Sequence, residues 1–361
     1  MNGNFALSKF ISTSFSERIE PQKVIYSILR LLILFQLGHA LFIAELYAQL
    51  CEWKIGTEGG YFHAGGQYHS GQIKFVSAFP ASVRFEQSSG PHIFLFNVRL
   101  RPEWYGPQKD NYNIQASAGF QYQYRWKEFD FGAGFQGRKQ NYHLHTDPIN
   151  INTFQLSASA SWLFKKNMTA NIESGYMDAV VSGNVRNTVS TRSLSSGLQY
   201  FFPGYGSVSG YGYFEAFKAG TDDILTAVKA AKGWRVGPKI GLEYLRKWYI
   251  TLHYLAAYRH IEYSNRVRPE HEINFVAGKN LTPRWSVFLL VDYYIRDLDS
   301  TAGDPVYTQT NYENRVHTKL VYSWKKNYAV YFKLAYSRNE FIYQQITLSG
   351  TQASLGFEIQ K

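Results

Sequence analysis

The stretch Tyr112 to Trp126 alternates without a break. Its even positions are Tyr112, Ile114, Ala116, Ala118, Phe120, Tyr122, Tyr124 and Trp126, all apolar or aromatic. Its odd positions are Asn113, Gln115, Ser117, Gly119, Gln121, Gln123 and Arg125, and none of them is. A period of two puts one set on each face of a β-strand. Strands of soluble proteins usually run to about 5–6 residues. A strand that crosses a bilayer needs about 9–11 tilted residues. The uninterrupted length therefore points to a membrane-spanning strand with an apolar and a polar side.

The pattern recurs. Phe154, Leu156, Ala158, Ala160, Trp162 and Phe164 oppose Gln155, Ser157, Ser159 and Ser161, and further alternating runs cover 234–244, 285–295 and 312–324. Short turn sequences punctuate these runs: Lys127-Glu128, Lys165-Lys166-Asn167, Pro203-Gly204, Arg246-Lys247, Thr282-Pro283 and Lys325-Lys326-Asn327. Their centres lie 36 to 44 residues apart, a hairpin's worth each. Longer polar connections, such as His145 to Asn150, Gly220 to Lys232 and Asp299 to Thr308, lie between them. Short turns on one side and longer loops on the other mark an up-and-down barrel. One step back reaches Gln87-Ser88-Ser89-Gly90-Pro91, a good turn sequence. One further step reaches residue 49, which gives about 16 strands. Glycines and Pro80 blur the period between Trp53 and Phe85. If that stretch is a plug or an edge wrap, the count is 14.

Residues 1–48 read as a leader. Leu31 to Ile43 is the longest apolar run, too short to span a bilayer, and Lys23 and Arg30 precede it. Leu46-Tyr47-Ala48 offers cleavage before Gln49, so the expected organisation is a removed signal peptide, 1–48, and an outer-membrane barrel, 49–361. A lipid anchor at Cys51 is disfavoured by Leu50 before it. With 17% aromatic and 18% charged residues, the chain is not of the disordered class. A single cysteine excludes an intrachain disulfide framework. The net charge is +11, and residues 1–48 hold four Lys/Arg and three Glu, which leaves +10 for 49–361. That excess is dispersed and argues against a nucleic-acid partner, which wants a clustered basic face. It predicts a slight anion preference in a pore.

Aromatics gather beside the short turns, as in Trp126 with Phe129, Trp162 with Phe164 and Trp324 with Tyr328. Amphipathic rings favour the headgroup region. In these features the chain resembles bacterial outer-membrane β-barrel proteins, porin-like in architecture, and the Ala48-Gln49 context resembles that of exported Bacteroidota proteins. The resemblance implies a single transmembrane antiparallel barrel in the outer membrane of a Gram-negative cell, with its lipid as the surrounding partner. Many such barrels end on an aromatic residue; here the final strand ends Leu355-Gly356-Phe357-Glu358-Ile359-Gln360-Lys361.

Charge at the bilayer midplane is expensive on a lipid-facing wall, so charged residues in the polar phase belong to the lumen. By that phase Arg125, Glu173, Arg235, Lys239, Glu243, Asp292, Glu313, Arg315, Lys319 and Lys333 line a pore. They either set a selectivity zone or pair into ladders that fill the barrel. About 16 strands usually leave an aqueous channel, whereas about 8 leave none. Tyr249, Phe288, Tyr294 and Tyr331 on the same face add partial filling. The expected function is a passive channel for small polar solutes. The alternatives are a closed barrel that anchors a partner, and a barrel-embedded enzyme acting on lipid. For the last, His143 and His145 lie near Ser157, Ser159 and Ser161 in sequence, but those serines fit plain polar lining. No catalytic residue, metal site or cofactor is expected, and the sequence leaves the oligomeric state open.

Overall fold

The computed structural model describes residues 50–65, 73–106, 111–143, 148–183, 186–221, 230–262, 267–296, 312–341 and 346–360. Residues 1–49, which include the expected leader, lie outside them, as do 66–72, 107–110, 144–147, 184–185, 222–229, 263–266, 297–311, 342–345 and 361.

Seventeen strand segments follow one another: β1 (Leu50–Gly65), β2 (Ile73–Ala78), β3 (Ala81–Ser89), β4 (His92–Tyr105), β5 (Tyr112–Trp126), β6 (Phe129–His143), β7 (Ile149–Lys165), β8 (Met168–Ser182) and β9 (Arg186–Phe202) make the first part. Then come β10 (Gly206–Thr221), β11 (Ala230–Leu245), β12 (Tyr249–Ile261), β13 (Val267–Asn280), β14 (Trp285–Arg296), β15 (Tyr312–Lys325), β16 (Tyr328–Phe341) and β17 (Ile346–Gln360). From β3 onward each pairs antiparallel with the next. β17 pairs with β1 along Lys54↔Gln360 to Gly65↔Ser349. The sheet therefore closes on itself and leaves no free edge.

The stretch that blurred the sequence pattern belongs to the wall. β2 and β3 are two halves of one stave. β1 meets β2 at Glu58↔Ala78 and β3 at Ile55↔Ala81, three residues further on each strand. On the other side, β4 pairs Glu103 with Ala78 and Leu100 with Ala81, again in step. The break at Phe79-Pro80 thus shifts no register. Pro80 and, opposite, Pro102 lack the N–H that a ladder needs. The carbonyls around them are still used: Gly56 N–H donates to Pro80 O at 2.8 Å and Phe79 N–H to Pro102 O at 3.1 Å. The barrel has 16 staves, and the alternative of 14 with a plug is corrected.

The short turns fall where the sequence placed them, at 90–91, 127–128, 166–167, 203–205, 246–248, 281–284 and 326–327. Gly204 supplies a φ of 75°, a conformation that costs glycine nothing. At the opposite end the strands run further than expected. Ile149 and Asn150 belong to β7, Gly220 and Thr221 to β10, and Ala230 to Lys232 to β11, all inside stretches expected to be loop.

The outer wall is apolar: Phe135, Phe154, Leu156, Leu194, Leu198, Phe214, Ile240, Phe332 and Leu334 are all exposed on it. A soluble fold would bury them, whereas lipid solvates them. Near the short turns the wall becomes aromatic. Phe129 stacks between Trp126 and Trp162, with ring centroids 6.1 Å away on each side. Cations in the turns and at the strand ends beside them cap this girdle: Arg246 lies 4.8 Å from the Tyr205 ring, Lys279 4.8 Å from Trp248 and Lys325 5.5 Å from Trp324. Rings with long cations over them suit the headgroup layer.

Candidate functional site

A wall one residue thick sends every second side chain inward, so the interior follows directly from strand phase. Two sides of it differ. On β5 to β8 the inward set is uncharged for most of its length. Gln121, Gln123, Gln136, Gln155, Ser157 and Ser159 are exposed on it, although they point away from lipid. Towards the far end the same staves turn apolar and buried. Tyr142, Ile149, Ile151 and Val181 form one cluster there, and Val189, Phe217, Ala219 and Ile261 form another on β9, β10 and β12.

The other side carries the charges, in two groups. The first is a dry tetrad. Arg235 on β11 and Arg259 on β12 stand opposite in register and are each 1% exposed. Glu270 on β13 lies between them, with Oε2 2.9 Å from Arg235 Nε and Oε1 2.8 Å from Arg259 Nε. Glu215 on β10 adds an oxygen 3.3 Å from Arg235 Nη1 and accepts a 2.7 Å hydrogen bond from the Tyr213 hydroxyl. Glu272 also pairs with Arg235. Charges this dry survive only when paired, because desolvation costs several kcal/mol per ion.

The second group straddles the closure between β1 and β17. Glu58, 3% exposed, is its hub. Lys333 on β16 pairs with it, and Arg101 on β4 approaches to 3.4 Å. Its carboxylate accepts hydrogen bonds from Ser354 Oγ at 2.6 Å, Gln352 Nε2 at 3.1 Å and the Tyr331 hydroxyl at 3.1 Å. Arg101 Nε also reaches Glu103 at 2.6 Å, and Tyr105 and Asn113 donate to the other Glu103 oxygen at 2.8 and 2.9 Å. Glu358 takes Lys54 at 2.6 Å and Lys319. These residues surround a cavity of about 410 Å³ that also touches Arg99 and Arg315.

The ten residues singled out from sequence fall as follows. Arg235 joins the dry tetrad, Lys333 meets Glu58, and Lys319 meets Glu358. Arg315 Nε lies 2.9 Å from Asp292. Lys239 reaches over β9 and β10 to Glu173 at 3.6 Å. Arg125 pairs with Asp130 at 3.0 Å, both exposed beside the short turn. Glu243 is exposed on the inward phase of β11, opposite Thr251. Glu313 stands opposite Asn339 in register, and its side chain is outside the described residues. The alternation had not yielded Glu58, Arg101, Glu103, Arg259, Glu270 or Glu358. Glu58 shares its phase with Lys54, Gly56, Gly60 and Phe62, and that was the available signal.

His143 is on the outward phase of β6, whereas Ser157, Ser159 and Ser161 are inward on β7, so the wall separates them. His145 lies outside the described residues. Among the described residues no three His, Cys, Asp or Glu side chains are grouped to hold a metal ion.

A closed sixteen-stave barrel with an apolar outer wall and a polar interior is an outer-membrane β-barrel of the Gram-negative type. Among solved structures the chain is similar to CdiB from Acinetobacter baumannii, at 8% identity and a TM-score of 0.46, covering 87% of this chain and 60% of that one. The chain thus spans 60% of that protein's length. It is similar to OccK3 (OpdO) of Pseudomonas aeruginosa at 12% identity and a TM-score of 0.39, covering 87% and 96%. A deltaS2 mutant of the TodX monoaromatic hydrocarbon channel gives 10% identity and a TM-score of 0.39, covering 86% and 89%. Identities of this size concern strand architecture and nothing finer. No protein-family model matches the sequence, and no curated protein is similar to it in sequence.

Proposed function

We propose that the protein is a passive channel for small polar solutes. The observation that carries this is the inner face of β5 to β8. There Gln121, Gln123, Gln136, Gln155, Ser157 and Ser159 are exposed inside a barrel whose outside is apolar. Exposed amide and hydroxyl side chains belong against water, and sixteen staves leave room for it. The ten inward charges are then pore-lining residues, with Glu173, Lys239 and Glu243 in contact with the water and Arg235 fixing the wall behind them.

A second reading, a closed barrel that anchors a partner, has one observation in its favour. Tyr142, Ile149, Ile151 and Val181 are inward-facing yet no more than 5% exposed, so the interior is filled at that end. Single-channel recording of the purified protein in a planar bilayer decides between them. Discrete conductance steps with salt-dependent ion selectivity support the channel. A folded barrel that shifts on heating in gels but never conducts supports the anchor.

A further inference from the structure

We propose that the cavity beside the barrel closure is a binding site for a small anion, a carboxylate or a phosphate. This rests on the channel reading only in requiring that solutes reach the interior. Six cations border the cavity: Lys54, Arg99, Arg101, Arg315, Lys319 and Lys333. Among the described residues, four carboxylates pair with five of them. Glu58 is held by Lys333 and Arg101, Glu103 by Arg101, Glu358 by Lys54 and Lys319, and Asp292 by Arg315. One cation is left over among them.

The surplus has an address. Arg99 is exposed, shares its strand phase with Arg101, and makes no ion pair among the described residues. In register it faces Ser82 on β3 and Ser117 on β5, both uncharged. Lys54 and Arg315 keep 42% and 41% of their side chains exposed, although each also has a carboxylate. The cavity therefore presents an unanswered guanidinium, together with two part-exposed cations that already hold carboxylates. About 410 Å³ is the size of a small-molecule site. A guanidinium fork matches either carboxylate or phosphate oxygens, and a low-dielectric wall strengthens the contact. An anion answers the Arg99 charge; a neutral solute leaves it standing.

The test uses protein expressed from the full-length chain and purified from membranes in detergent. Equilibrium dialysis with radiolabelled succinate, and separately with inorganic phosphate, measures binding at low salt. Saturable binding of at least one of them is expected, and the tighter of the two names the source. Arg99→Gln should bind it about tenfold more weakly, the loss of one charge-assisted contact. Arg99→Lys, which keeps the charge but loses the fork, should fall between wild type and Arg99→Gln, which separates loss of charge from loss of fold. Lys166→Gln, in the turn between β7 and β8, should bind as wild type. No saturable binding of either probe overturns the proposal, and so does Arg99→Gln binding at full strength. Bilayer recording of the same preparations keeps the two proposals apart. Binding without conductance removes the channel and leaves the site; conductance without binding removes the site alone.

Discussion

Arg235 and Arg259 face each other across the β11–β12 ladder, each 1% exposed, and Glu270 bridges their Nε atoms at 2.9 and 2.8 Å. Two like charges in opposed positions would repel without that carboxylate. The bridge is uneven. Arg235 also has Glu215 and Glu272, whereas Nη1 and Nη2 of Arg259 have no hydrogen-bond partner among the described residues.

Glu270→Ala should therefore be severe. Removing one member of a buried ion pair costs about 3–5 kcal/mol, because the partner charge stays behind. Arg259→Met should cost much less, and adding it to Glu270→Ala should recover part of the loss. Urea unfolding followed by gel mobility measures all three. A Glu270→Ala barrel that unfolds at the wild-type midpoint would refute the tetrad as a structural unit.

Lipid and lumen faces can be tested with one charge on adjacent residues. Ala158 lies midway along the apolar run of β7 on the outer wall, and Ser159 lies next to it on the inner one. Ala158→Arg should cost about 2–4 kcal/mol, the price of a cation at the bilayer midplane. Ser159→Arg should assemble normally, since register puts Glu173 opposite it. Recovery of heat-modifiable protein from membranes reports the difference. Equal yields would reverse the facing of β7.

Gly356 stands opposite Tyr331 in register, and a Cβ there would fall within that ring's space. Tyr331 in turn donates to Glu58. Gly356→Ala should force the ring off Glu58 and cost about 1–3 kcal/mol, as overpacking does. Gly210→Ala, where a Cβ meets nothing within 4 Å, is the control and should be neutral. Thermal unfolding that treats the two alike would show that the Tyr331 ring yields freely.

Glu173 keeps 49% of its side chain exposed in the interior, with Lys239 3.6 Å away. Glu173→Gln removes a water-facing negative charge and frees that lysine. The reversal potential in a salt gradient should move towards anions, and the shift should shrink at high salt as screening grows. An unchanged reversal potential would take Glu173 out of the conduction path.

The barrel was legible because its wall is one residue thick. Each side chain of Tyr112 to Trp126 must choose lipid or interior, so the sequence records the choice at every position. The stave made of β2 and β3 was illegible for the same reason. Its carbonyls are served around two prolines, and its neighbour β1 carries glycines at Gly56 and Gly60, opposite Glu358 and Ser354. Small residues on the inward phase erase the contrast on which alternation depends. The partners of Glu58 were out of reach altogether. Nothing local to Glu58 announces Ser354, which is 296 positions away.

That separation bears on how the molecule assembles. Glu58 finds Tyr331, Lys333, Gln352 and Ser354 only when β17 docks on β1. Until then only Arg101 answers it, on the rim of an open sheet, and an open sheet edge has no place in hydrocarbon. Every hairpin between can form from near neighbours, but the zipping of this one seam waits on the most distant contact in the chain, the slowest kind to search for. The hub thus acts as a latch. Before β17 arrives the hub is part-made, and its completion marks the moment the cylinder is whole.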